Sequence, residues 1–100
     1  MARMRHEIIL APEAVQDLKR LKAHVRATVR GAIEEHLRHQ PARRSKSRIK
    51  RLRGLSRPQF RLRVGELRVF YDVSERTVEV LAIILKPDAD AWLKKVGERA

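Results

Sequence analysis

Three arginines share one face of a β-hairpin that the sequence predicts over residues 59–72. Apolar and cationic residues alternate strictly there, and Gly65 fits the first position of a two-residue turn because glycine tolerates a positive φ. Such a turn sets Arg63 directly opposite Arg68, with Arg61 on the same face. Opposed like charges destabilise a strand pair by up to ~1 kcal/mol. Planar, permanently charged guanidiniums kept in this arrangement are therefore predicted to bind an anion such as phosphate.

The opposite face of the hairpin is apolar and is predicted to be core. Its members are Phe60, Leu62, Val64, Leu67, Val69 and Tyr71. Tyr71 is accordingly interpreted as a structural residue. The alternative interpretation of the arginines is a solvated outer face that keeps the hairpin soluble and protects a sheet edge from pairing.

The segment before the hairpin concentrates the positive charge of a chain whose formal net charge is +12. So large an excess implies a polyanionic partner or an acidic protein partner. Apolar residues recur every three positions at Ile49, Leu52 and Leu55, so we interpret this segment as a basic arm that docks on the core. The candidate RNA-binding residues of the arm are Arg43, Arg44, Lys46, Arg48, Lys50, Arg51 and Arg53.

The 100 residues without cysteine predict a single domain over residues 1–100 in a reducing compartment. Nothing near the N-terminus resembles a signal peptide, and the longest apolar run, residues 80–85, is too short to span a membrane. We therefore expect a cytoplasmic protein without a membrane partner.

The periodicity of apolar residues predicts an α+β fold in the order β-α-α-β-β-β-α, with a helical hairpin packed on a small, mainly antiparallel sheet. Beside the hairpin strands, the predicted elements are a strand at 6–10, helices at 12–21 and 24–39, an interior strand at 78–85 and a helix at 89–96 with Asp88 as its N-cap. Gly31 inside the second helix costs up to ~1 kcal/mol relative to alanine, so we expect close packing there.

The chain resembles a known family in its Leu52-Arg53-Gly54 step, in residues 60–71 and in the final apolar strand. These features, following a helical hairpin, are similar to the RelE/ParE toxin superfamily of bacterial type II toxin–antitoxin systems. The similarity extends over residues 8–93. Within the superfamily, the resemblance favours the RelE-like mRNA interferase branch.

The resemblance implies a set of catalytic residues. By position these are Arg61, Arg63, Arg68, Lys86 and Trp92. Trp92 stands where the family has a tyrosine, and an indole N–H exchanges no proton near neutral pH. Guanidiniums cannot act as bases, so Lys86 is left as the candidate for proton transfer.

The implied activity is that of a toxin that inhibits translation as a ribosome-dependent mRNA endoribonuclease, without a cofactor or metal. The implied partners are the ribosome, mRNA and a cognate acidic antitoxin, the last in a toxin–antitoxin hetero-oligomer. A ParE-like inhibitor of DNA gyrase and a catalytically inactive RNA-binding relic remain the alternatives. His36 and His39 beside Glu35 are interpreted as a solvated helix end, because no third metal ligand is indicated.

Overall fold

The computed structural model describes residues 5–100. In chain order its elements are β1 (Glu7–Leu10), α1 (Pro12–Lys19), α2 (Ala23–Leu37), β2 (Ile49–Arg51), β3 (Leu55–Arg57), β4 (Phe60–Val64), β5 (Leu67–Val73), β6 (Thr77–Leu85), α3 (Lys86–Val96) and β7 (Glu98–Arg99). The expectation about the N-terminus falls partly on residues 1–4, which lie outside the described residues.

Five of the strands form one sheet in the order β1-β6-β5-β4-β2. Its pairs are antiparallel except for β1 and β6, which run parallel. The predicted α+β class and mainly antiparallel sheet are confirmed, and β6 is the expected interior strand. The short strands β2, β3 and β7 were not predicted, and β3 pairs with β7 in a separate two-stranded ribbon.

The hairpin has the predicted register. Phe60 pairs with Tyr71, and Arg63 pairs with Arg68. Gly65 has a φ of +58°, and no non-glycine residue in the described chain has a positive φ. Positive φ at the first turn position alone is the signature of a type II′ turn, whose twist matches that of the flanking strands.

Helices α1 and α2 pack on the apolar face of the sheet. Buried side chains from the helices, including Leu18, Val29 and Leu37, form one core with the predicted hairpin face. Tyr71 is fully buried, and its hydroxyl donates a hydrogen bond to the Pro41 carbonyl oxygen over 2.6 Å. Burial raises the pKa of Tyr71. The tyrosine therefore fixes the chain after α2 onto the sheet, which is a structural role.

Both predicted helices of the helical hairpin are present, and each ends two residues earlier than expected. At the end of α1, the Arg26 guanidinium donates to the carbonyl oxygens of Leu18 and Leu21 at 3.1 Å and 2.9 Å. The Leu18 carbonyl oxygen also accepts from the Leu21 N–H over 3.1 Å, and the Arg26 bonds supply the further partners that carbonyls at a helix end lack. The chain can therefore turn into α2 without leaving those carbonyls unsatisfied.

Two sequence expectations about the helices are wrong. The last helix begins at Lys86 with Leu85 as N-cap, so Asp88 lies in the first turn. Pro87 does not delay the start, because proline fits the first turn of a helix, where its missing N–H has no intrahelical partner. Gly31 is exposed, and a Cβ built on it would meet nothing within 4 Å, so close packing does not explain this glycine.

Within residues 5–100, no helix combines the length and the apolar character needed to cross a membrane.

Candidate functional site

Four cations form rows on the sheet surface that faces away from α1 and α2. Lys50 on β2 pairs with Arg61 on β4, and Arg63 on β4 pairs with Arg68 on β5. Because side chains alternate along a strand, all four belong to the face opposite the core. We call this group, Lys50, Arg61, Arg63 and Arg68, the cationic sheet face. Among residues 5–100, none of the four forms an ion pair with a carboxylate.

The cations of this face have different environments. Lys50 and Arg63 are exposed. Arg68 is only 7% exposed, and its guanidinium donates hydrogen bonds to the Gly65 and Leu67 carbonyl oxygens, each over 2.9 Å. Arg68 thus stabilises the hairpin turn through hydrogen bonds to its backbone, whereas the exposed cations are accessible to an anion.

Arg61 lies between these extremes. It is half-buried and makes a long hydrogen bond of 3.4 Å to the Ser47 carbonyl oxygen. Its buried Nε has no hydrogen-bond partner among the described residues. Burial lowers the pKa of Arg61, and the guanidiniums of Arg68 and Arg63 lower it further. The centre of the face therefore carries repelling positive charges and an unpaired donor, a combination that an anion would relieve.

Lys86 lies beside the hairpin turn. Its backbone N–H donates to the Glu66 carbonyl oxygen over 2.8 Å, and its side chain is exposed. The side chain of Arg68 bonds to the same turn at Gly65. The structure thus places the start of α3 at the end of the hairpin where Arg63 and Arg68 are paired.

Trp92 packs on the same side of the sheet. Its ring stacks on Phe70 with centroids 4.9 Å apart, and its Nε1 donates to a Glu13 carboxylate oxygen at 3.4 Å. Phe70 follows Arg68 on the same face of β5 by alternation. Trp92 therefore anchors α3 over the sheet and covers the part of this face next to the arginines.

The basic arm runs along the edge of the sheet and is fixed there by β2. Ile49 is buried and pairs with Leu62, as the predicted docking requires. The Ser45 hydroxyl accepts hydrogen bonds from the backbone N–H groups of Arg48 and Ile49 at 3.0 Å and 3.1 Å. The exposed cations of the arm are Arg43, Arg44, Lys46, Arg48, Lys50 and Arg53.

Arg51 differs from the other arm residues. Its guanidinium donates to the carbonyl oxygens of Leu52 and Gln59 at 3.1 Å and 2.7 Å. The same group lies 5.4 Å from the ring centroid of Phe60, a cation–π contact. In this structure Arg51 therefore joins the arm to the hairpin.

The sequence pattern does not predict the contacts of two side chains, Arg57 and His36. Arg57 is surrounded by carboxylates of Asp72, Glu79 and Glu98 at 3.6, 3.2 and 3.7 Å, so it joins the small ribbon to the sheet. His36 is a contact residue and not a solvated helix end, because its Nε2 lies 2.8 Å from a guanidinium nitrogen of Arg48. These groups are far apart in sequence and meet only in the fold. In the described part of the chain, no group of three or more potential metal ligands comes together.

A comparison with known protein families places the chain among toxins. Residues 8–97 match the family model of the ParE toxin of the type II toxin–antitoxin system parDE, so the chain belongs to the RelE/ParE toxin superfamily.

Solved structures of low sequence identity share the fold. A RelB–RelE antitoxin–toxin complex from Methanococcus jannaschii is 23% identical, with a TM-score of 0.61, over 84% of this chain and 96% of that chain. An archaeal RelE–RelB complex from Pyrococcus horikoshii OT3 is 21% identical, with a TM-score of 0.63, over 83% of this chain and 97% of that chain. None of the curated proteins compared with the chain is similar enough to count as a match.

Proposed function

We propose that this toxin is a ribosome-dependent mRNA endoribonuclease whose cationic sheet face binds the scissile phosphate. The observation that carries the proposal is the cationic sheet face, in which Lys50 opposes Arg61 and Arg63 opposes Arg68, with no ion pair to a carboxylate among residues 5–100. A face that concentrates like charges and an unsatisfied guanidinium donor is destabilising unless an anion binds. Phosphate suits planar guanidiniums that donate two parallel hydrogen bonds.

The reaction is an attack of an mRNA 2′-oxygen on its adjacent phosphorus. The 2′-O–P bond forms and the bond to the 5′-oxygen of the next nucleotide breaks, while a proton leaves the 2′-hydroxyl and another joins the 5′-oxygen. Arg61 and Arg63 stabilise the extra negative charge of the transition state. Lys86, beside the hairpin turn, assists proton transfer at the entering or leaving oxygen.

Trp92 takes no part in proton transfer in this proposal. Its indole is stacked on Phe70, and its N–H is directed to Glu13. With one candidate for proton transfer, most of the acceleration has to come from electrostatic stabilisation and from in-line positioning of the mRNA by the ribosome. Free RNA is therefore expected to be a poor substrate. Since its substrate is translated mRNA, the toxin acts in the cytoplasm.

The proposed protein partner is an acidic antitoxin, in keeping with the net charge of +12 and with the RelE–RelB complexes that share the fold. We expect it to cover the cationic sheet face and leave α3 in place. Both ends of α3 are held: the Lys86 N–H bonds to the hairpin turn, and β7 after the helix pairs with β3. Displacing α3 would break both attachments, whereas covering the face would neutralise unpaired charges.

Induced expression in bacteria, with and without the neighbouring open reading frame, tests the activity. Mapping of mRNA 5′ ends should reveal in-frame cleavages within translated regions, and co-expression of the neighbour should suppress them. The double variant Arg61→Ala/Arg63→Ala should abolish cleavage. The control Lys19→Ala/Arg20→Ala removes the same charge at the end of α1, where both side chains are exposed. This control should still cleave mRNA.

DNA gyrase inhibition is the second candidate, and it is favoured by the match to the ParE family model. Cleaved gyrase–DNA complexes without new mRNA ends would select that function and refute the ribonuclease. A chain that binds RNA but yields neither product would instead be an inactive relic of the fold.

A further inference from the structure

The structure contains a second cationic concavity next to the cationic sheet face. It lies between the C-terminal end of α2 and the basic arm, with a volume of about 510 Å³. His36 and His39 line it from the α2 side, and Arg43, Arg44 and Arg48 line it from the arm. Its size is within the range of small-ligand sites, roughly 300 to 1,000 Å³. Three of its ten lining residues are arginines and one is an acid, so it suits an anion better than an apolar molecule.

Charge balance in this concavity favours an anion. Glu35 is the acid of the lining, and its carboxylate lies 3.3 Å from His36 Nε2. The carbonyl end of a helix adds roughly half a negative charge, as at the end of α2. The three arm arginines outweigh both. The site therefore retains net positive charge after its own acid has been counted.

Arg48 is held in place at the boundary of this concavity. A guanidinium nitrogen of Arg48 lies 2.8 Å from His36 Nε2, so the side chain is in contact with the end of α2. The backbone of Arg48 is fixed as well, because its carbonyl oxygen accepts from the Arg63 N–H over 2.8 Å. A fixed guanidinium loses less conformational entropy when it binds a ligand.

A smaller cavity of about 340 Å³ continues from this concavity to the sheet. Ser47 and Arg48 line both cavities, and the smaller one is also lined by Arg63 of the cationic sheet face. Neighbouring strands are about 4.8 Å apart, and only the edge strand β2 lies between the concavity and Arg63 of the cationic sheet face. A ligand with successive phosphates can therefore follow the guanidiniums from Arg63 past Arg48 to Arg43 and Arg44.

We infer that this concavity, lined by His36, Arg43 and Arg48, is a subsite for single-stranded RNA next to the scissile phosphate. The inference rests on the proposed function for the identity of the nucleic acid. A single strand can bend around a sheet edge and place a base on imidazole and guanidinium planes. Duplex RNA is a stiff rod that is recognised by its shape, so it would bridge the opening without entering the concavity.

Histidine-ring NMR signals of the whole wild-type chain locate the ligand, because His36 and His39 line the concavity and His24 does not. The probe is a short 2′-O-methylated single-stranded RNA, which lacks the attacking hydroxyl and stays intact. The signals of His36 and His39 should shift on titration. His24, which lines a different groove between the start of α2 and the hairpin turn, should not. Unchanged His36 and His39 signals, or equal shifts at His24, would refute the subsite.

Salt dependence of binding supplies the second measurement. The variant Arg43→Ala/Arg44→Ala/Arg48→Ala should lower the slope of log affinity against log salt by about 2, since each single-strand phosphate contact contributes about 0.7. The control Lys19→Ala/Arg20→Ala/Lys22→Ala removes the same charge from exposed positions at and just after the end of α1. Equal slopes for the two variants, or tighter binding of duplex RNA than of single-stranded RNA, would contradict the inference.

Neither measurement depends on cleavage. If the ribonuclease assignment is wrong, the histidine shifts can still occur without any mRNA product. If the subsite is wrong, mRNA cleavage can still be abolished by Arg61→Ala/Arg63→Ala. The two failures are therefore distinguishable.

Discussion

Arg63 and Arg68 form a directly opposed pair on adjacent strands, yet their removal should have opposite effects on stability. Arg63 is exposed, whereas Arg68 is 7% exposed and donates to the Gly65 and Leu67 carbonyl oxygens at the hairpin turn. From the sequence alone, we expect Arg68→Ala to leave stability unchanged or slightly higher, because it relieves repulsion. The structure reverses that expectation.

The magnitudes follow from the contacts. A hydrogen bond to a charged group contributes roughly 1.5 to 3 kcal/mol to stability. Arg68 donates both of its bonds from one nitrogen, so we count the contribution of a single bond. Relief of repulsion by the opposing guanidinium returns about 0.2 to 1 kcal/mol. Arg68→Ala should therefore destabilise the fold by about 1 to 2 kcal/mol. Arg63→Ala gains the same relief and loses no such bonds, so it should be neutral or stabilising by up to about 1 kcal/mol.

Thermal unfolding followed by circular dichroism measures both variants. In a domain of about this size 1 kcal/mol corresponds to roughly 4 to 8 °C in Tm, so a loss of about 1 to 2 kcal/mol should make Arg68→Ala melt roughly 4 to 16 °C below wild type. Arg68→Lys keeps the charge but not the planar fork, and should recover only part of the loss. If Arg68→Ala melts at or above the wild-type temperature, or if Arg63→Ala is the less stable of the two, the structural role of Arg68 is refuted.

Four further substitutions have expected outcomes that chemical denaturation can measure. Tyr71→Phe leaves the buried Pro41 carbonyl oxygen without its donor and should cost about 1 to 3 kcal/mol, and an unchanged unfolding midpoint would contradict this. Gly31→Ala should stabilise by about 0.5 to 1 kcal/mol, since its Cβ meets nothing, while Gly65→Ala at a φ of +58° should destabilise. Burial raises the pKa of Asp72, so the folded state binds the proton of this carboxyl more tightly than the unfolded state does. The contribution of Asp72 to stability should therefore fall as the pH rises from the ordinary aspartate pKa through the raised pKa of the folded state. The stability difference between wild type and Asp72→Asn should show that fall as the pH rises above the ordinary aspartate pKa, and a flat difference would refute it.

The hairpin could be predicted because its information is local. Strict alternation fixes which residues face the core, and Gly65 fixes the turn, so the register of Arg63 with Arg68 follows from a few adjacent residues. The burial of Arg68 could not be predicted in this way. It depends on the guanidinium turning back to the carbonyl oxygens of its own turn, and no periodicity encodes that choice.

The short strands and the start of α3 show a different limit. Strands β3 and β7 have three and two residues, and they exist only because distant parts of the chain meet. Sequence patterns of that length carry no signal. The predicted N-cap at Asp88 was wrong because Pro87 is compatible with the first turn of a helix, so a helix that starts directly at the end of β6 is equally consistent with the residues.

The three sheet arginines therefore perform different tasks although they share one face. Arg68 is an internal support, Arg63 is free for a ligand, and Arg61 is half-buried with a pKa lowered by burial and by the other two. Arg61 is the position where stability and binding conflict, because the fold keeps a charged group there without a matching acid among residues 5–100. A structural arginine in such a place would be expected to have a carboxylate partner, as Arg57 does. The contrast between Arg61 and Arg57, two arginines four positions apart, is the strongest argument within this fold that the cationic sheet face is kept for an anion that comes from outside the chain.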